Sequence, residues 1–109
     1  MTANATRIRA LNDEFRQSLK GGMAVITPGV AALGPEAVER IVATVMTYND
    51  FCPDNDPYGE HDAGFLDVGA ERIMFKIDYY TKDLQSHSPD PTNPAVTQRV
   101  MTLMLMAEY

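Results

Sequence analysis

Apolar residues recur at Ile8, Leu11, Phe15 and Leu19, the spacing of one helical face, with Asn4 or Thr6 as caps and Gly21 as stop. The run Met23-Ala24-Val25-Ile26-Thr27 is short, apolar and rich in branched residues, and Pro28-Gly29 follows it. That pattern predicts a strand closed by a turn. Pro35 behind Gly34 suits the first position of a helix, whose apolar stripe is Val38, Ile41, Val42, Val45 and Met46. From Asp50 to Gly64 no period survives, and Pro53, Asn55, Pro57 and Gly59 mark a loop.

Residues 65–68 and 71–80 flank Gly69-Ala70 and read as a β-hairpin with a type II′ turn. In its second strand Ile73, Phe75, Ile77 and Tyr79 share one face, and Met74, Lys76, Asp78 and Tyr80 the other. A second loop with Pro89, Pro91 and Pro94 leads to Asn93-Pro94, the start of a last helix that is apolar nearly all round at Val100, Met101, Leu103, Met104, Leu105 and Met106. The expected order is α-β-α-β-β-α, an α+β fold with a three-stranded sheet whose hairpin packs on helices. Such a last helix belongs either in the core or, half docked, in a homodimer interface.

Length fits one domain over residues 1–109, large enough to remove about two thirds of its unfolded surface from water. With 45% apolar and 22% charged residues the chain is of globular composition, not disordered. The first ten residues lack a signal-peptide core, and the uncharged stretch 21–35 is too short and too rich in Gly and Pro to span a bilayer. Cys52, the single cysteine, excludes an internal disulfide and a multi-cysteine metal site, and reads as a small buried thiol. A reduced cytoplasmic setting, with no membrane partner, is the expectation.

Charge changes the picture most. Residues 50–90 hold ten acidic and three basic side chains, whereas residues 1–49 are near balance, so the net charge of −6 resides in the middle. A pI near 4.7 argues against direct contact with nucleic-acid phosphates. Tyr58, Tyr79, Tyr80 and Tyr109 could stack on bases, yet no basic groove accompanies them. An acidic segment of this kind holds a cation, meets a basic partner, or is a solvated face.

Within the loop, Asp54, Asp56, Glu60 and Asp62 surround His61. A calcium loop fails, because Tyr58 and Phe65 stand where oxygen ligands are needed. A looser divalent site from Asp54, Asp56, His61 and Asp62, with Glu60 and His87 as further ligands, stays open, and His61 with Glu60 could then serve as base or acid. The same residues before Pro and Gly also form turns on their own backbone, so a structural or interaction loop is the competing reading. No phosphate-cradling Gly loop, nucleophile elbow or paired-His helix is present.

Several segments carry a family resemblance. They are Leu11-Asn12-Asp13-x-Phe15-Arg16, Asn55-Asp56-Pro57-Tyr58-Gly59-Glu60-His61-Asp62, Lys76-Ile77-Asp78-Tyr79-Tyr80, Ser88-Pro89-Asp90-Pro91, and Met104-Leu105 with Glu108-Tyr109. Together they resemble the bacterial domain of unknown function 3768 family, with Met74-Phe75 departing from an aromatic pair before Lys76. The resemblance names no activity. It implies a small protein of plasmids and integrative elements, neighbouring anti-restriction and transfer genes.

Two functional readings follow. The first is a non-enzymatic interaction protein, an anti-CRISPR or anti-restriction inhibitor of a nucleic-acid-binding defence complex. Its contacts would be Asp54, Asp56, Glu60, Asp62, Asp67 and Asp78, and it needs no cofactor. The second is a small hydrolase or nuclease with a divalent metal in the 54–62 loop.

Overall fold

The computed structural model describes residues 2–109. Helix α1 (Ala3–Ser18) starts at Thr2, whose hydroxyl accepts from the Ala5 N–H at 3.0 Å, one residue pair earlier than the caps expected from sequence. It ends on Leu19 in the left-handed region, φ 60°, whose N–H closes onto the Phe15 carbonyl. Strand β1 (Met23–Ile26) follows, as its branched residues predict.

Pro28-Gly29 does not make a plain turn: residues Pro28–Ala31 form a one-turn helix, α2. The reason lies at the far end of the chain. Glu108 accepts from the Gly29 N–H at 3.1 Å and from the Thr27 hydroxyl at 2.6 Å, and that hydroxyl accepts from the Val30 N–H, so carboxylate and hydroxyl together satisfy the open N–H groups of α2. Helix α3 (Pro35–Met46) begins with Pro behind Gly34 and buries Ile41 and Val45. Strands β2 (Ala63–Val68) and β3 (Glu71–Tyr80) form the expected hairpin, with Gly69 at φ 61° in its turn.

The principal correction concerns the C-terminus. The helix expected after Pro94 is limited to a 3-10 turn, Pro94–Val96, and residues Gln98–Leu105 are strand β4. The sheet therefore has four strands in the order β1-β4-β3-β2, with β1 parallel to β4 and the other pairs antiparallel. An interior strand is apolar on both faces, and a short run of that kind cannot be told from a buried helix by periodicity. The apolar residues expected to form a last helix and a homodimer surface are thus a strand hydrogen-bonded on both edges, followed only by a 3-10 turn, Met106–Glu108.

The fold is a small α+β architecture. The helices cover one face of the sheet, where Ile73, Phe75, Ile77, Met101 and Leu103 meet Ile8, Phe15, Val30, Ile41 and Val45 in one core. Each such side chain contributes roughly 1.5–3 kcal/mol on burial. The opposite face carries Met74 beside Met104 and Lys76 beside Thr102. No helix is long and apolar enough to cross a membrane among the described residues.

Gly64 is required by this packing. A Cβ there would lie 2.5 Å from ring carbons of both Phe75 and Tyr48, closer than carbon atoms approach. Gly64→Ala should lower stability by about 1–3 kcal/mol. The check is the urea midpoint, which falls at unchanged slope; an unmoved midpoint contradicts the packing described.

Candidate functional site

The stripe that α1 turns inward is not wholly apolar. Ile8, Asn12 and Arg16 follow each other at i, i+4 spacing, so two polar side chains occupy core positions. Asn12 is fully buried and Arg16 is 2% exposed, while Leu11, expected on this face, is only half-buried. Buried polar groups need partners, and those partners define the site.

Asn12 joins four parts of the chain. Its Nδ2 donates to the Glu60 carbonyl at 3.0 Å and to the Tyr79 hydroxyl at 2.8 Å. Its Oδ1 accepts from Arg99 Nε at 2.8 Å. Arg99 also donates to the Pro91 carbonyl at 2.6 Å and lies over the Tyr79 ring, and Tyr79 in turn donates to the Glu60 carboxylate at 3.2 Å. One carboxamide thus links α1 to the 50–62 loop, to β3 and to β4.

A second cluster adjoins it. Asp13 accepts from Arg16 Nη1 at 2.9 Å and from His61 Nδ1 at 2.8 Å; an ionised carboxylate can only accept, so the imidazole N–H points to it. His61 Nε2 faces Asp56 Oδ2 at 3.7 Å, and the ring stacks on Phe51 with centroids 3.8 Å apart. The Arg16 guanidinium lies over the same Phe51 ring at 5.0 Å and donates to the Tyr48 carbonyl at 3.2 Å. The backbone of His61 sits in the left-handed region, φ 55°, held by its N–H to Asp56 Oδ1 at 3.1 Å. Such a conformation costs a non-glycine residue roughly 1–2 kcal/mol, which these contacts offset.

The start of the loop is wound on Asn55, which accepts from the Cys52 N–H and donates to the Asp50 carbonyl and the Tyr48 hydroxyl. This is the turn-forming role expected of Asn and Asp before Pro and Gly.

The acidic candidates therefore separate. Asp56 is buried and bonded within the loop, and Glu60 is bonded to Tyr79. Asp54 and Asp67 are exposed, Asp67 beside Arg72; Asp78 pairs with Lys76 at 3.0 Å. His87 is exposed and near the Ser88 carbonyl, away from the His61 cluster. No group of three or more His, Cys, Asp or Glu side chains is placed to hold a metal among the described residues. Cys52 is exposed, against the expected buried thiol, because the Asn55 turn sets it on the outside. The sequence pattern does not mark Arg16 or Arg99 as site residues; for Arg16 the i, i+4 register with Ile8 and Asn12 is a signal, and Arg99 has none.

Burial shapes the electrostatics. It raises the Glu60 carboxyl above its usual range, and Asp62 beside it raises it further. Burial likewise raises Asp62, and it holds the Tyr79 phenol protonated far above neutral pH. Both carboxyls bind protons more tightly folded than unfolded. The contribution of these two groups to stability is thus greatest below the ordinary carboxylate range and falls as pH rises through their raised folded values. Glu60→Gln should flatten that fall and raise stability at neutral pH relative to the parent, as read by urea unfolding at stepped pH. A parallel pair of pH profiles contradicts it.

Asn12→Leu strands Arg99 Nε and the Glu60 carbonyl, each a group costing about 1–3 kcal/mol when left unpaired, and leaves the Tyr79 hydroxyl only its bond to the Glu60 carboxylate. It should destabilise the protein more than His61→Ala does. Comparing the two midpoints in one denaturant series checks the order, and the reverse order overturns it.

No curated protein and no solved structure matches the chain. One family does match, over residues 26–108, a range holding the loop, Tyr79, Pro91, Arg99 and Glu108; Asn12, Asp13 and Arg16 precede it. The chain belongs to that family, described as a protein of unknown function (DUF3768).

Proposed function

We propose that this protein is a non-enzymatic binding protein whose exposed carboxylates engage a basic, nucleic-acid-binding protein partner. The observation that carries this reading is the enclosure of His61. Its ring nitrogens face Asp13 and Asp56, and its ring face lies on Phe51. A general base has to present a nitrogen to the proton it removes, and a metal ligand has to present a lone pair. Here Nδ1 is bound to Asp13, joining loop to helix, and Nε2 is turned toward the buried Asp56 carboxylate at 3.7 Å.

The metal-hydrolase alternative draws no support from the loop geometry, since Asp54 points to solvent and Asp56 into the loop. With Asp56 and Glu60 engaged internally, the fully exposed partner-facing charge is that of Asp54 and Asp67, with half-buried Asp62 and Asp78, the latter paired with Lys76, beside them. Attraction to a surface built for phosphates is long-ranged and weakened by salt. A defence complex of the kind implied by the family's genomic setting has such a surface.

The test uses the double variant Asp54→Lys/Asp67→Lys, which leaves the internal network intact. Partner capture by the parent should weaken with salt, be displaced by duplex DNA, and be lost in the double variant. His61→Gln, folded, should retain it. Capture that ignores both salt and the two reversals overturns the reading.

A further inference from the structure

The acidic charge is concentrated in residues 50–90, but a cleft between α1 and the entry to β4 has a different character. It encloses about 250 Å³ and is lined by Leu11, Glu14, Lys20, Gly21, Pro94 and Arg99. Arg99 is 3% exposed, yet its two hydrogen-bond acceptors, Asn12 Oδ1 and the Pro91 carbonyl, are both neutral. Neither Arg99 nor Lys20 forms an ion pair with a carboxylate among the described residues. Arg7 adds a third positive charge within electrostatic reach of Arg99.

The Glu60 carboxylate acts on Arg99 only from a distance; a buried guanidinium with no anion in contact is costly, and an anion brought to it offsets that cost. The planar fork suits a carboxylate, which can accept two N–H bonds side by side. Leu11 and Pro94 supply apolar wall beside it. Glu14 is the one acidic group on the lining, and its carboxylate holds no partner there.

From this geometry we infer that the cleft binds a small organic carboxylate, its charged end between Arg99 and Lys20 and its apolar body against Leu11 and Pro94. The site is separate from the acidic partner surface and does not depend on that reading.

Benzoate is the probe, with benzamide as its neutral match, in a titration followed by nuclear magnetic resonance. Benzoate should shift the Arg99 Nε–H and the amides of Leu11 and Gly21 saturably, and benzamide should not. Lys20→Gln should weaken binding and Glu14→Gln should tighten it, each by about two- to fivefold, the size of one screened surface charge. Among the described residues neither side chain makes an ion pair and only their backbone atoms are hydrogen-bonded, so both variants should melt with the parent. Absence of a saturable shift, equal shifts with benzamide, or equal affinity in both variants overturns the inference.

Discussion

The carboxamide of Asn12 is the constraint on which this structure turns. It is a neutral group with no access to water, so its bonds to Glu60, Tyr79 and Arg99 all have to be made within the protein. Those three partners come from the loop, from β3 and from β4. An amide can satisfy acceptors and donors together, which a hydrophobic residue at this core position cannot do. Arg99 then reaches the Pro91 carbonyl, so the second loop is tied to the same point.

Around this clasp the polar interior follows a consistent logic. Arg16 is balanced by Asp13, and Asp13 also accepts from His61, so one carboxylate joins two cationic or potentially cationic groups. Phe51 offers its ring to both. Tyr79 is one side chain in two roles: its ring belongs to the core, and its hydroxyl passes a bond from Asn12 to Glu60. At the other end Glu108 ties α2 from far along the chain, accepting from the Gly29 N–H and the Thr27 hydroxyl, as Asn12 ties the loop by donating to the Glu60 carbonyl. The motif residues thus gather for architecture, while Asp54 and Asp67 face outward.

Much of the fold was legible where periodicity is unambiguous. The β3 face of Ile73, Phe75, Ile77 and Tyr79 and the α3 stripe both stand as the pattern predicts. The pattern misled at residues 98–105, because an interior strand loses the alternation that marks a half-exposed one. It misled again at Pro28, since no local feature shows that a carboxylate eighty residues later will cap a helical turn. The loop's residues were recognisable as a unit, but not their direction. Asp54 and Asp56 are two positions apart and of one type, yet one faces water and the other His61. Direction is decided by Asp13 and Asn12, which come from α1 and share no local pattern with the loop.

The account rests on the loop being held by α1 through Asn12, and amide hydrogen exchange tests this most directly. In Asn12→Ala, under conditions where the protein stays folded, the Gly59 and His61 amides should exchange at least about tenfold faster, reporting local release of the loop. Loop amides that exchange at the parent's rate would contradict the clasp and return the 54–62 segment to a self-supporting turn.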